Sequence, residues 1–264
     1  MAKTAADWNA KPKFPATHYV DSRIYTEQEI FDEEMQKLFK PSWIIACHES
    51  EIPNAFDYRT FIHPTGVPLI IVRGDDMKVR SFYNICPHRG NTILYDPSGN
   101  AKRMTCIFHA WSFDTRGNCI EISRAEQGYQ NRFSKEDASL REVKLEIGLG
   151  GFVWVNLDDH CGSLRDYIGQ SLGVLEPFME QPMEVFHFNR AIVNTNYKLW
   201  HDTNSEFYHD FVHYFNRITG MMQPGYFQRK YTAFPNGHAS VGSMSIQYDK
   251  YEGSKERAVG WPGL

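Results

Sequence analysis

Two short stretches carry residues able to hold metal. "CPHRGN" contains Cys86 and His88 around one proline, and "CIFHAW" contains Cys106 and His109, with residues 89–105 separating the pairs. Two thiolates and two imidazoles suit either tetrahedral Zn²⁺ or a [2Fe–2S] cluster in which two cysteines bind one iron and two histidines the other. The mixed pairing favours the cluster. Each loop then supplies one residue to each iron, whereas zinc fingers group Cys with Cys and His with His. Imidazoles in place of two thiolates reduce the negative charge of such a cluster and raise its potential. They also leave ring nitrogens facing outward, an exit for electrons. Arg89 and Gly90 fit a tightly packed ligand loop, glycine allowing close backbone approach. Cys47, Cys119 and Cys161 have no histidine at ligand spacing and read as ordinary thiols.

A second set lies in "NYKLWHDTNSEFYHDFVH", which contains Glu206, His209 and His213. On a helix at about 100° per residue these fall at roughly 0°, −60° and −20°, on one face. Histidines at i and i+4 can clamp one metal. With a carboxylate and open positions they would form the facial triad of a non-haem Fe(II) oxygenase, free to take dioxygen beside a substrate. A plainer reading stands beside it. Glu206 follows Thr203 by three residues and would complete a capping box, and the histidines would be polar residues of a half-exposed helix. His187, His201 and His238 lack comparable spacing and read as structural. The aromatic residues Phe207, Tyr208, Phe211, Tyr214 and Phe215 read as core packing before pocket lining.

"CPHRG" followed by "CIFHAWSFDTRGN" resembles the Rieske domain of the ring-hydroxylating, non-haem iron oxygenase alpha subunits. Phe108 and Ala110 stand where that family commonly has tyrosine and glycine. The likeness runs through "HESEIP", "FDYRTF" and "GFVWVNLD" and covers nearly the whole chain. It implies an α+β fold, with an antiparallel β Rieske [2Fe-2S] domain and a partial helix-grip (START-like) catalytic domain. It also implies a cluster on Cys86, His88, Cys106 and His109, and a mononuclear Fe(II) on His209 and His213. Glu206 matches the acidic residue that bridges the Rieske histidine of one subunit to an iron histidine of its neighbour. Two departures matter. The bridge is usually aspartate, and the histidines are more often separated by four intervening residues than by the three found here. A glutamate bridge is similar to that of members acting on quaternary ammonium compounds.

The family's third iron ligand is an aspartate far downstream in a longer chain, and here only 51 residues follow His213. Asp249, Glu252 and Glu256 lie too close and read as exposed charges, so a truncated alpha subunit is expected. The resemblance implies a terminal oxygenase component that uses O₂ and electrons from NAD(P)H, passed through a reductase and in some systems a ferredoxin. The substrate would be a small organic compound, aromatic by default, hydroxylated or dihydroxylated. Monooxygenation or demethylation of an ammonium or sulfonate compound is the alternative. A homotrimer, or an alpha3beta3 assembly with a beta subunit, would close a head-to-tail ring. Two readings of other classes remain, a Rieske electron carrier without catalysis of its own and a zinc-stabilised binding module.

These residues need a scaffold. The 264-residue chain is long enough for one large domain or two modest ones. A formal charge of −4 argues against a general nucleic-acid or membrane-surface partner. No apolar stretch is long enough to span a bilayer, and "MAKTAADWNAKPKF" lacks the apolar core of a signal peptide. Five scattered cysteines point to a reducing cytoplasm rather than a disulfide framework. Thr26 and Glu29 predict a capping box opening a helix with Phe31, Met35, Leu38 and Phe39 on one face, stopped by Pro41. Between Trp43 and Leu157, "SWIIACH", "YRTFI", "PLIIVR", "KVRSFY", "RMTCIF" and "GFVWVNL" read as strands. Gly-Asp, Pro-Ser-Gly-Asn and Arg-Gly-Asn read as turns between them. Ser163 and Asp166 predict a capped helix with Leu164, Ile168, Leu172 and Leu175 inward. "EVFHFNRAIVNTNYKL" reads as β-like, and Thr203–Phe215 as a helix. The resulting parts are 1–40, an N-terminal helical segment packing on the catalytic domain; 41–160, the Rieske domain; and 161–264, the partial catalytic domain.

Overall fold

The structure, a computed structural model, describes residues 21–172, 179, 182–205 and 230–242. Its β-rich part comprises β1 (Ile44–His48), β2 (Asp57–Ile62), β3 (Pro68–Arg73), β4 (Val79–Tyr83), β5 (Ser98–Asn100), β6 (Met104–Thr105), β7 (Ser112–Phe113), β8 (Cys119–Glu121), β9 (Lys144–Gly148) and β10 (Phe152–Asn156). All pairings are antiparallel, and they form sheets in the orders β1-β10-β9, β4-β3-β2-β5 and β6-β7-β8.

The run "PLIIV" is apolar at consecutive positions, which suits a strand covered on both faces. Strand β3 is that strand. Ile70 and Val72 face one core with Phe82, Met104, Phe113, Cys86 and Cys106. Leu69 and Ile71 face a second core with Cys47, Ile52, Val153 and Val155. Successive side chains of a strand point to opposite faces, so one strand serves as the wall between both cores. The metal-ligand cysteines proposed from sequence therefore lie on loops but turn their thiols into a core.

Turn chemistry sets the connections. At Gly74-Asp75 the chain reverses between β3 and β4, with the Gly74 N–H on the Lys78 carbonyl at 2.8 Å. In the β7–β8 turn the Asp114 carboxylate accepts the N–H groups of Arg116 (2.8 Å) and Asn118 (2.9 Å), and Gly117 takes φ 84°. Pro97-Ser98-Gly99-Asn100 departs from expectation. Ser98–Asn100 is β5, an exposed edge strand against β2, anchored by Asn100 Nδ2 on Asp57 Oδ1 at 2.8 Å. Its glycine suits packing rather than a turn, since a Cβ on Gly99 would lie 2.8 Å from the Tyr58 hydroxyl.

Five α-helices are placed among the described residues: α1 (Arg23–Thr26), α2 (Gln28–Glu34), α3 (Ala125–Tyr129), α4 (Leu164–Ile168) and α5 (Tyr197–Ser205). The Thr26–Glu29 capping box does not form; Thr26 ends α1, and α2 starts after Glu27 without a side-chain cap. A π turn, Met35–Phe39, then closes α2 through the Lys40 N–H on the Met35 carbonyl (3.0 Å) before Pro41. Its wider pitch rotates Leu38 out to solvent and keeps Phe39 inward, where it meets Tyr197 edge-on at 5.0 Å. The Ser163 cap forms as expected, accepting the Asp166 N–H at 3.1 Å, with Leu164 and Ile168 buried.

The β-like reading of residues 184–199 is not realised. Residues 182–196 carry no strand, and Phe186 and Ile192 stand 99% and 89% exposed, because no neighbouring strand pairs with them. Helix α5 begins at Tyr197, six residues before the expected start, and Thr203 lies inside it, donating to the Leu199 carbonyl at 2.9 Å instead of capping. Beyond it, β11 (Lys230–Ala233) pairs with β12 (Ala239–Gly242), and His238 Nε2 lies 3.0 Å from the Tyr167 carbonyl, a structural contact as expected.

Candidate metal centre

Two loops with one hydrogen-bond pattern bring the Cys/His pairs together. In the first, the Cys86 N–H donates to the Asn91 carbonyl (2.8 Å) and the Gly90 N–H to the Cys86 carbonyl (2.9 Å). In the second, the Cys106 N–H donates to the Trp111 carbonyl and the Ala110 N–H to the Cys106 carbonyl, both at 2.9 Å. Gly90 and Ala110 occupy the same place in each loop, and both are left-handed, with φ 76° and 58°. The first loop is tied down by buried Asn84, whose Oδ1 accepts the N–H groups of Ile93 (3.0 Å) and Leu94 (2.9 Å) and whose Nδ2 donates to the Leu94 carbonyl (2.7 Å).

Cys86 and Cys106 are buried and lie within hydrogen-bonding reach of each other, yet both are free thiols. His88 and His109 are half-buried, their rings edge-to-face with centroids 4.6 Å apart. The thiols thus form the floor of the cradle and the imidazoles its rim. Burial, with the neighbouring Cys106, pushes the Cys86 thiol up to about 11. Burial also acts to raise Cys106, but the N–H groups of Phe108 and His109, the Asn91 amide and the Cys86 thiol outweigh it and lower it. His88 is lowered by burial, then by His109 and Arg89, so its imidazole is neutral, the form that ligates.

The donor set fits a two-iron group. His109 Nδ1 is buried without a hydrogen-bond partner, a cost that ligation would remove. His88 Nε2 is taken by the Tyr129 hydroxyl at 2.9 Å, which leaves Nδ1 as its binding nitrogen. Among the described residues no three His, Cys, Asp or Glu side chains surround one point as a single ion requires. Two thiols paired below two imidazoles is instead what a cluster with one iron at each level needs, and it disfavours the zinc alternative.

Sequence reasoning did not find four supporting residues. The Asn91 side-chain amide lies 3.7 Å from Cys106 Sγ, the Trp111 ring stacks on His88 at 4.7 Å, Tyr129 bonds to His88, and Asn84 braces the loop. Asn91 and Trp111 lie inside the quoted motifs; Tyr129, far from both, has no sequence signal. Phe108, in place of the usual tyrosine, lies under the Arg89 guanidinium at 5.6 Å. Of the second constellation, Glu206, His209 and His213 lie outside the described residues, as do Asp249, Glu252 and Glu256. Cys47 and Cys119 are buried and Cys161 partly so, all three as free thiols.

Comparison with known proteins agrees with this geometry. The sequence model of the Rieske [2Fe-2S] domain matches residues 42–141. The chain is 52% identical to the methanesulfonate monooxygenase hydroxylase subunit alpha of Methylosulfonomonas methylovora, over 97% of this chain and 64% of that protein. It is 42% identical to the 2-aminobenzenesulfonate 2,3-dioxygenase subunit alpha of an Alcaligenes species, over 100% of this chain and 68% of that protein. The fold is similar to that of naphthalene 1,2-dioxygenase from a Rhodococcus species bound to indole, with a TM-score of 0.76 at 24% identity, over 86% of this chain and 54% of the other. The chain thus spans about two thirds of the length of these two curated relatives.

Proposed function

The chain belongs to the alpha subunits of the Rieske non-haem iron oxygenases, and from that premise we propose that it is the terminal oxygenase of a multicomponent system acting on an organosulfonate. The observation that carries the oxygenase reading is the cradle itself, two buried thiols below two half-buried imidazoles on matched loops. The substrate class is supported by the two relatives above, one named for an alkylsulfonate and the other for an arylsulfonate. The sequence left aromatic, ammonium and sulfonate compounds open, and an alkyl- or arylsulfonate lies within that range.

In this reading Cys86 and Cys106 hold one cluster iron, His88 and His109 hold the other, and His209 and His213 hold a separate mononuclear iron. When bound, the cluster supplies one-electron transfer and the mononuclear iron supplies dioxygen activation. The buried thiols keep water from the inner ligands, and the Asn91 amide is placed toward the Cys106 sulfur. Glu206 is positioned in sequence to link imidazoles of the two centres between neighbouring subunits. Electrons would come from NAD(P)H by way of a reductase, with or without a ferredoxin. The assembly is a homotrimer or a trimer carrying beta subunits. We further propose the parts 1–40, 41–160 and 161–264, and a reducing cytoplasm as the location. No described helix is long and apolar enough to cross a membrane.

Metal analysis with electron paramagnetic resonance on the reduced chain tests the reading. A Rieske signal together with mononuclear iron is expected, and Cys86→Ser removes the signal. The cluster alone supports the electron carrier, and zinc without iron refutes both. Glu206→Gln is expected to leave cluster reduction intact and slow electron delivery to the mononuclear iron by at least tenfold. Oxygen uptake stimulated by methanesulfonate or an aminobenzenesulfonate, and not by the corresponding carboxylates, supports the substrate class.

A further inference from the structure

We propose that Tyr129 is a positioning residue for His88, fixing which imidazole nitrogen is offered to iron and lowering the reduction potential of the centre. The proposal rests on the ligand reading above, in which His88 binds through Nδ1. With Nδ1 toward iron, Nε2 carries the proton, and the Tyr129 oxygen 2.9 Å away accepts its hydrogen bond. Such a partner on the outer nitrogen holds the ring plane and raises its basicity. A more basic imidazole stabilises the oxidised iron over the reduced one, so the potential falls.

The surroundings serve the same contact. Tyr129 meets His88 edge-on at 90°, with ring centroids 5.7 Å apart, while Trp111 stacks on the imidazole within 12° of parallel. Phe133 packs against both Tyr129 (5.3 Å) and Trp111 (6.1 Å), closing an aromatic box around the ring. The segment presenting Tyr129 is strained. Arg124 before α3 and Gln130 and Asn131 after it all adopt left-handed backbone, with φ of 53°, 54° and 55°. Arg124 and Gln130 hold that conformation only where the surrounding structure imposes it, whereas Asn131 tolerates it, and such strain gathers at functional sites. Here the result is a five-residue helix whose last side chain reaches His88. His109 offers its own Nδ1, buried without a partner, as the equivalent binding nitrogen.

The test is a redox titration of the full chain at fixed pH, followed by circular dichroism and electron paramagnetic resonance. Tyr129→Phe keeps the ring in its box and removes the hydroxyl. It is expected to load the cluster and raise the midpoint potential, changing the oxidised-to-reduced ratio at a set potential by roughly tenfold, about 59 mV for one electron. Site-specific 3-fluorotyrosine at 129 weakens the acceptor without changing shape, and is expected to move the potential in the same direction by a smaller step. Phe133→Leu loosens the box without touching the hydrogen bond, and is expected to lower thermal stability and leave the potential in place. Unchanged potentials in both Tyr129 proteins, or an equal shift in Phe133→Leu, overturn the proposal. A wild-type chain that binds iron without a Rieske signal overturns the ligand reading, and the proposal with it.

Discussion

At the scale of single residues, the buried polar groups divide into those the fold satisfies and those it leaves for something else. His48 is satisfied, with Nδ1 beside Ser50 and Nε2 on the Gly150 carbonyl at 2.7 Å. His63 is buried among β-strand ends, with Nδ1 accepting the Thr65 N–H at 3.2 Å, and burial holds its imidazole down at about 4. Its folded value lies below the ordinary value of 6.5, so folding is undiminished above that pH and weakens as pH falls from there toward about 4. The full effect is about 3 kcal/mol. His63→Gln is expected to flatten urea-derived stability between pH 7 and 4 relative to wild type. Parallel pH curves for the two proteins would show that His63 does not carry this dependence.

At the scale of elements, the two ligand loops are a matched pair with unmatched residues. Gly90 meets the left-handed requirement at little cost, while Ala110 meets it with a Cβ present, at φ 58°. Left-handed backbone costs an L-residue about 1–2 kcal/mol, partly offset by the greater freedom glycine loses on folding. Ala110→Gly is therefore expected to stabilise the chain by about 0.5–1 kcal/mol with an unchanged cluster spectrum. The converse, Gly90→Ala, meets no atom within 4 Å. Its penalty should be backbone strain alone, about 1 kcal/mol, with the cluster retained. Chemical denaturation of both variants checks the pair, and a destabilised Ala110→Gly would contradict the matched-loop account.

At the scale of the whole molecule, the N-terminal helices are held to α5 by a few directional contacts. Lys198 Nζ pairs with Glu34 at 2.7 Å with both side chains largely covered, and also lies 4.6 Å from the Tyr197 ring centre. Tyr25 donates to Asp202 at 2.6 Å, and Asn196 Nδ2 to the Tyr25 carbonyl at 3.1 Å. Burial and the hydrogen bond to Glu34 push the Tyr197 hydroxyl up to about 12. Glu34→Gln leaves Lys198 covered without its counter-charge and is expected to cost about 2–3 kcal/mol. Glu34→Met with Lys198→Met should recover most of that loss. Neither change should alter the cluster spectrum, because Glu34 and Lys198 pair with each other and not with a residue of the Cys/His loops.

Much of the site was legible in the linear sequence because ligand chemistry is local. A cysteine and a histidine two or three residues apart must sit on one turn, and two such turns in a β-rich stretch must face one another for any shared metal. The apolar run of β3 likewise declared a strand, and the fold showed both its faces covered. What sequence could not supply was pairing between distant parts. Nothing in "PSGN" distinguishes a turn from the edge strand that β2 makes of it. The β-branched residues of 184–199 remain without a strand because no neighbour pairs with them, and β9 passes unnoticed within a charged stretch until β10 lies beside it. The π turn after α2 moved one apolar residue out of a face that regular periodicity had drawn. The sequence by itself determined which Cys and His residues are candidate ligands, and their order. Only the tertiary structure decided which were floor and which rim, and that Tyr129 would reach His88, since those depend on contacts the chain makes only when distant segments close on each other.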